Sequence, residues 1–207
     1  MTDPDLDDAY GLKTPEDSRR LYAGWAETYD DSFARSMDFA LPRIVATIYA
    51  AHGGVGPVLD AGAGTGLVGQ ELAARGVGPV DGLDISAQML GVARRKGAYR
   101  TLIEGDLTGR LEIGDAAYDG VVSSGTFTLG HVGPEALDEL LRVAAPDALF
   151  VLAINAAHYR SAGFAAKLVA LGDGVQGLQL EDHPIYGPGA NGAHGKDRAQ
   201  VAVFRKG

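Results

Sequence analysis

Cysteine is absent from this 207-residue chain. Its absence excludes disulfides, thiolate metal ligands and any reaction that begins with a cysteine nucleophile. The sequence also lacks an uninterrupted run of about 18 apolar residues, which argues against a membrane-spanning helix. The first residues are acidic and polar, without the basic and then apolar order of a signal peptide. We therefore expect a cytoplasmic protein with no membrane partner.

Positive charge is in short supply. Lys and Arg total 18 against 27 Asp and Glu, which gives a net charge of −9. A chain this acidic offers little attraction to phosphate backbones, so we expect no nucleic-acid partner. The basic triplet Arg94, Arg95 and Lys96 is interpreted as a solvated helix end. Hydrophobic residues make up 46% and charged residues 22% of the chain, as in ordinary globular proteins of one domain.

Short apolar runs alternate with amphipathic stretches along most of the chain. We expect a flexible segment over residues 1–16, a helical cap over residues 17–52 and one core over residues 57–207. Strands are predicted over residues 57–61, 80–84, 100–104, 118–123 and 148–154. Helices are predicted over residues 17–30, 38–51, 67–75, 87–96, 134–143 and 159–171. This alternation predicts an α/β fold, Rossmann-like and doubly wound, with a mostly parallel sheet covered on both faces.

The C-terminal part has a different pattern. Residues 178–186 and 200–205 read as two strands joined by the glycine-rich loop GPGANGAHGKD. Such a loop favours an antiparallel pair, which we place at the edge of the sheet.

The stretch VLDAGAGTGLVG carries four glycines within the nine residues that follow the acid Asp60. Ligands of open parallel sheets bind at the carboxyl ends of the strands, where this loop lies. Two registers are available. Gly64, Gly66 and Gly69 spell the dinucleotide pattern GxGxxG. The register that fits the strand end is instead Asp60-x-Gly62-x-Gly64-x-Gly66.

The charge of Asp60 favours the second register. A pyrophosphate needs positive potential, so a carboxylate in this place would oppose it. S-adenosylmethionine carries an ammonium and a sulfonium, and an acid beside a glycine turn suits it. A nicotinamide-dependent oxidoreductase that uses the first register remains the alternative.

Further polar residues follow the next strands. Asp84 ends the second strand, where a carboxylate accepts hydrogen bonds from a ribose diol. Ser86 is a candidate cap for the helix that follows. Glu104 or Asp106, with the Leu107 amide, is placed to read an adenine. The small residues at the end of the fourth strand leave space for a transferred group.

Taken in order, the motifs DAGAGTG, GLDIS, EGDL and YDGVVSSGTFTLGHV resemble those of class I S-adenosylmethionine-dependent methyltransferases of the small-molecule type. The stretch LYAGWAETYDDSF resembles the helical cap of a subgroup similar to the Williams–Beuren-region methyltransferase. The resemblance covers about residues 22–154. It implies a seven-stranded sheet with an antiparallel last strand, and S-adenosylmethionine as the cofactor, with S-adenosylhomocysteine as its product.

The resemblance also implies roles for individual residues. These are Asp60, Gly62 and Gly64 for the methionine end, Asp84 for the ribose, Ile85 and Met89 for the adenosine pocket, Asp106 and Leu107 for the adenine, Ser123 for the methyl side, and Tyr22, Trp25 and Tyr29 for a lid. The three aromatics have a second interpretation, in which they only pack the cap against the core.

A base is needed only where the acceptor keeps its proton. Of five histidines, His131 and His158 follow the fourth and fifth strands, so both are candidate bases. No carboxylate cluster suggests a magnesium site, and we expect no metal. The remaining hypothesis is methyl transfer to oxygen, nitrogen or sulfur of a small molecule by a monomer or homodimer. A non-catalytic S-adenosylmethionine-binding protein is a further alternative.

Overall fold

Helices make up the N-terminal part of the computed structural model, which describes residues 4–190 and 193–207. These are α1 (Leu6–Tyr10), α2 (Pro15–Trp25), a π-helix (Asp30–Arg35) and α3 (Leu41–Ala51). Below, the cap means α1, α2 and the π-helix; α3, which falls inside the predicted cap over residues 17–52, packs in the core cluster with the sheet. Helix α1 lies inside the segment that was expected to be flexible. It forms because the side chains of Asp5 and Asp8 each accept a hydrogen bond from the other's backbone N–H, and because Ala9 is buried.

The helix predicted over residues 17–30 ends early, at Trp25. The chain then continues into the π-helix, which has a wider turn. In this arrangement Tyr29 contacts both Trp25 and Phe33, with ring centroids 5.1 Å and 4.9 Å apart. The aromatic residues of the cap therefore form one continuous stack.

Seven strands form one sheet in the order β3-β2-β1-β4-β5-β7-β6. They are β1 (Val58–Ala61), β2 (Val80–Asp84), β3 (Thr101–Glu104), β4 (Tyr118–Phe127), β5 (Ala144–Asn155), β6 (Val175–Pro184) and β7 (Arg198–Lys206). The pairs among β1 to β5 are parallel, whereas β7 is antiparallel to both β5 and β6. The predicted fold class is confirmed. Of the loop between β6 and β7, Asn191 and Gly192 lie outside the described residues.

Helices cover both faces of the sheet. The helices after α3 are α4 (Leu67–Ala73), α5 (Ala87–Lys96), α6 (Ala136–Val143), α7 (Ala156–Ser161) and α8 (Phe164–Ala170), followed by a short 3₁₀ turn (Gly172–Gly174). One core cluster joins α3, α4 and α5 to the sheet, and a second joins α6 and α8. The single helix predicted over residues 159–171 is divided, because Gly163 adopts a left-handed conformation.

The order of the strands determines where a ligand can bind. Strand β1 lies between β2 and β4, and the connections leave it in opposite directions. At such a switch point a crevice opens outside the carboxyl ends of the strands. The cap lies over this crevice. Among the described residues, no helix has the length and apolarity that crossing a bilayer would require.

Candidate active site

A cavity of about 360 Å³ lies between the cap and the carboxyl ends of β1 to β4. It brings together ten of the residues that the sequence singled out. These are Tyr22, Tyr29, Gly62, Gly64, Asp84, Ile85, Met89, Asp106, Leu107 and His131. Four others, Trp25, Asp60, Ser123 and His158, do not line this cavity.

The glycines after β1 have different roles. Gly62 has a positive φ, and a Cβ there would overlap the Thr126 side chain, so its lack of a side chain allows β4 to approach. Gly64 also has a positive φ, but a Cβ there would meet nothing within 4 Å. Gly66 begins α4 in a left-handed conformation. Gly62 and Gly64 both line the cavity, and of these two only Gly64 leaves open space where a side chain would stand.

Asp60 lies at the base of the glycine loop and has no exposed surface. Its Oδ2 accepts a 2.7 Å hydrogen bond from the Tyr99 hydroxyl, while its Oδ1 has no hydrogen-bond partner. Burial raises the pKa of this carboxyl to about 7. A buried acceptor without a partner is costly, and a nearby cationic group would favour the ionised form of this carboxyl. Asp60 therefore fits a ligand that brings positive charge.

Asp84 connects the end of β2 to the glycine loop. Its Oδ2 accepts from the Gly64 amide and its Oδ1 from the Ser86 amide, each at 2.8 Å. Burial raises the pKa of Asp84. Each oxygen retains a free lone pair, so the carboxylate remains able to accept from a diol. The Ser86 hydroxyl accepts from the Met89 amide, which is the capping role considered above.

The turn after β3 closes another side of the cavity. Asp106 accepts hydrogen bonds from the backbone and the hydroxyl of Thr108, at 2.9 Å and 2.7 Å. It also lies 3.6 Å from the Arg19 guanidinium of α2. Leu107 lines the cavity beside it, whereas Glu104 does not. Of the two acids proposed for the adenine, only Asp106 reaches the cavity.

At the end of β4 the cavity is lined by Ser124 and not by the predicted Ser123. The buried Ser123 hydroxyl donates to the Ala61 carbonyl at 2.7 Å and fixes β4 to β1. Ser124 lines the cavity instead, and its buried Oγ has no hydrogen-bond partner. Successive strand residues point to opposite faces, so only one of the two serines can face the ligand. Ser123, the residue predicted for the methyl side, is used to join two strands, and alternation along β4 is the signal that indicates Ser124.

The two candidate bases have different surroundings. His131 Nδ1 lies 2.8 Å from the Leu129 carbonyl, and its Nε2 lies 2.8 Å from the Tyr22 hydroxyl. Because a carbonyl only accepts, Nδ1 carries the proton and Nε2 accepts from Tyr22. Burial lowers the pKa of His131. His158 instead places its Nε2 3.0 Å from the Val132 carbonyl and packs on Phe164, away from the cavity.

A second cavity of about 50 Å³ adjoins the first. We call it the aromatic chamber. Its walls include Trp25, which is 2% exposed and donates from Nε1 to the Ser32 hydroxyl. The residues that line both cavities are Tyr22, Tyr29, Phe39, Gly125 and His131.

Polar contacts fasten the cap to the core beside the glycine loop. Asp30 accepts a 2.6 Å hydrogen bond from Thr65 and pairs with Lys96 at 2.5 Å. Glu27 pairs with Arg95 at 2.7 Å. The basic triplet at the end of α5, interpreted from the sequence as a solvated helix end, therefore supplies two contacts to the cap. Within the described ranges, no group of three or more acidic or histidine side chains is placed to hold a metal ion.

Comparison with protein families gives a match over the part of the chain that builds this site. Residues 58–147 match the family model described as methyltransferase domain. A curated relative is the malonyl-[acyl-carrier protein] O-methyltransferase of Pectobacterium atrosepticum, 34% identical over 123 residues. The aligned region covers 59% of this chain and 47% of that protein. The chain thus spans about half the length of this relative.

Solved structures share the fold across nearly the whole chain. The magnesium protoporphyrin IX methyltransferase of Synechocystis PCC 6803 superposes with a TM-score of 0.65 at 18% identity, covering 93% of this chain and 100% of that one. The 1,6-didemethyltoxoflavin-N1-methyltransferase of Burkholderia thailandensis gives 0.63 at 21% identity, covering 94% and 91%. Both structures contain S-adenosylhomocysteine. They confirm the Rossmann-like methyltransferase fold that the sequence predicted.

Proposed function

We propose that this chain, whose residues 58–147 match a methyltransferase domain, transfers the methyl group of S-adenosylmethionine to a small-molecule acceptor. The observation that carries the proposal is the unpaired Oδ1 of buried Asp60 at the base of the glycine loop. A diphosphate would add negative charge next to this carboxyl, whereas the cationic cofactor would compensate it.

The residues around the cavity provide a place for each part of the cofactor. Gly64 would present its bare backbone to the methionine end, and Asp60, which is buried behind the cavity lining, would act on the ammonium through its charge. Asp84 would accept from the ribose hydroxyls. Asp106 and Leu107 would face the adenine, and Ile85 and Met89 would line the nucleoside pocket. Tyr22 and Tyr29 of the cap would exclude water above it.

When bound, S-adenosylmethionine supplies an activated methyl group for an in-line displacement. The chain has to orient the acceptor, keep the site dry and receive a proton. His131 is placed for the last task, because its unprotonated Nε2 faces Tyr22 at the cavity wall. His158 does not line the cavity and donates to the Val132 carbonyl, so we assign it a structural role.

Isothermal titration calorimetry with two ligands tests the cofactor assignment. We expect S-adenosylhomocysteine to saturate one site per chain and NAD⁺ to produce no heat of binding. Saturable binding of NAD⁺ together with no binding of S-adenosylhomocysteine would overturn the proposal and favour the oxidoreductase alternative. Formation of S-adenosylhomocysteine from S-adenosylmethionine in the presence of a small acceptor then separates an enzyme from a non-catalytic binding protein.

A further inference from the structure

The aromatic chamber has walls of ring side chains. Phe33 is central among them, with ring centroids 5.4 Å from Trp25, 5.4 Å from Phe39 and 6.1 Å from Tyr186. Tyr22 stacks on Trp25 with an interplanar angle of 13° and a centroid separation of 6.3 Å. Rings at these distances and angles form the edge and offset contacts that favour a further aromatic ring.

Formal charge is missing from these walls. None of the described residues that line the chamber is an Asp, Glu, Lys or Arg. A carboxylate or an ammonium buried here would lack a charged partner, and that carries a large desolvation cost. The chamber therefore selects for an uncharged group.

The volume of the aromatic chamber leaves room for no more than part of one aromatic ring. The volume of about 50 Å³ is well below the roughly 150 Å³ that encloses a whole benzene. A ring can enter only in part, with its remainder in the larger cavity. Gly125 lines both cavities, and a Cβ there would lie 3.5 Å from the Phe39 ring, so glycine keeps this shared boundary free of a side chain.

Tyr22 and His131, which line both cavities, form a hydrogen-bonded pair that can accept a proton. The Tyr22 hydroxyl donates to His131 Nε2 and keeps lone pairs with which to accept another hydrogen bond. Both residues line the chamber as well as the main cavity. The hydroxyl of a methyl acceptor beside this pair would donate to Tyr22, which in turn donates to His131. Burial lowers the pKa of His131, so this base is neutral at pH 7.

We propose that the methyl acceptor is a neutral, single-ring phenol, with its ring partly inside the aromatic chamber and its hydroxyl donating to Tyr22 beside His131. This inference rests on the methyltransferase function proposed above. A phenol, with a pKa of about 10, is acidic enough for a relay to an imidazole, and an aliphatic alcohol is a much weaker acid.

The step balances. The phenol oxygen forms its bond to the methyl carbon while the bond from sulfur to that carbon breaks and leaves a neutral thioether. The phenol proton passes to the Tyr22 oxygen, and the Tyr22 proton passes to His131 Nε2. The positive charge of the sulfonium is thereby replaced by that of an imidazolium, whose Nδ1–H continues to donate to Leu129.

Trp25 offers a direct readout of binding, because it is the one tryptophan of the chain and lines the chamber. With S-adenosylhomocysteine saturating, its fluorescence is titrated with phenol, cyclohexanol, benzoate and benzylamine, excited where the probes do not absorb. We expect phenol to change the signal at the lowest concentration, and benzoate and benzylamine to leave it unchanged. Equal binding of cyclohexanol, or tighter binding of either ion, overturns the inference.

A pair of matched variants tests the hydroxyl contact. Tyr22→Phe removes one hydroxyl and keeps the ring, and we expect it to weaken phenol binding about threefold to tenfold, as one hydrogen bond predicts. Tyr159→Phe makes the same change on a tyrosine that lines neither cavity, and phenol affinity should stay at the wild-type value. In the wild type, anisole and S-adenosylhomocysteine should form in equal amounts.

The two proposals fail in different ways. If S-adenosylhomocysteine binds and phenol neither alters Trp25 fluorescence nor becomes methylated, the phenol assignment is wrong and the proposed function stands. If S-adenosylhomocysteine does not bind, both are wrong. If phenol binds equally well to wild type and Tyr22→Phe, the chamber takes the ring but Tyr22 does not receive the hydroxyl, which overturns the assignment as stated.

Discussion

The hydroxyl of Tyr22 lies 2.8 Å from Nε2 of His131, across the wall that separates the two cavities. This contact joins the cap to the turn that follows β4. It also fixes the tautomer of the imidazole, because the other nitrogen, Nδ1, donates to the Leu129 carbonyl.

Burial lowers the pKa of His131, so we expect its ring to titrate below 6.5 and to be neutral at pH 7. The measurement is an NMR titration of the ring resonances, with ¹⁵N shifts reporting the tautomer. His194 is an internal control with the opposite sign, because hydrogen bonds to Asp7 and Asp197 raise its pKa. A midpoint for His131 above that of His194 would contradict the assignment of His131 as a neutral base.

The Asp60 carboxyl should make the stability of the ligand-free protein depend on pH. Its pKa is raised to about 7, against about 3.9 in an unfolded chain, so the folded state holds the extra proton between these values. Stability therefore falls as pH rises from about 4 to 7, by roughly 1.4 kcal/mol per pKa unit at most. Urea unfolding of wild type and Asp60→Asn at pH 4.5 and 7.5 should show the larger loss in the wild type. Parallel losses would mean that Asp60 is ionised throughout.

Asp84 is expected to matter for the ligand more than its neighbour Asp81 does. Asp84→Asn removes the charge that strengthens hydrogen bonds to a diol, so affinity for S-adenosylhomocysteine should fall about tenfold or more. Asp81 lies on the same strand as Asp84, and its carboxylate accepts hydrogen bonds from Arg100 and Tyr118. Asp81→Asn weakens these contacts, so it should lower the melting temperature and leave the affinity for S-adenosylhomocysteine intact. Calorimetry and thermal unfolding of both variants make the comparison. Equal affinities for the two variants would count against the ribose role.

Two alanine substitutions in the glycine loop should affect different properties, one the stability of the fold and the other the affinity for the ligand. Gly62→Ala forces a Cβ into the Thr126 side chain, so we expect a marked loss of stability. Gly64→Ala meets open space and should cost only about 1–2 kcal/mol for its left-handed backbone, yet it places a methyl group in the cavity. Its affinity for S-adenosylhomocysteine should therefore fall while the fold is kept. A Gly64→Ala variant with wild-type affinity would show that the ligand does not approach this backbone.

The cap should become less mobile when ligand binds. Hydrogen exchange over residues 21–33 is expected to slow on addition of S-adenosylhomocysteine, because Tyr22 and Tyr29 line the cavity. Asp30→Asn weakens the contacts to Thr65 and Lys96 and should speed exchange in the ligand-free protein. Asp31→Asn, which alters only a pair with Arg35 inside the π-helix, should not. Identical exchange with and without ligand would make the cap a fixed structural element.

The strands and the carboxylates at their ends could be predicted from the sequence. Glycine residues mark the boundaries of β1 and β2. Ligands of open parallel sheets bind at the carboxyl ends of the strands, so these ends could be assigned to a site without knowledge of the tertiary structure. Asp84 and Gly64 were placed in the site for that reason, and both line the cavity. Helix α1 was missed because its capping box uses Asp8 in the position where Glu or Gln is the usual signal.

The remaining parts of the site depend on contacts between distant segments. The aromatic chamber joins Tyr10 of α1 and Ala153 of β5 to Tyr186 beyond β6, and no local pattern relates these positions. The contact from Asp30 to Lys96 likewise spans two elements that only the folded chain brings together. Local propensity predicts neither, because both are products of tertiary packing.

The common wall of the two cavities has a thermodynamic consequence. An occupant that displaces the Phe39 or Tyr29 ring changes the free energy of filling the other space, and linkage makes this influence equal in both directions. A dissociation constant measured for either occupant is thus defined only at a stated concentration of its companion.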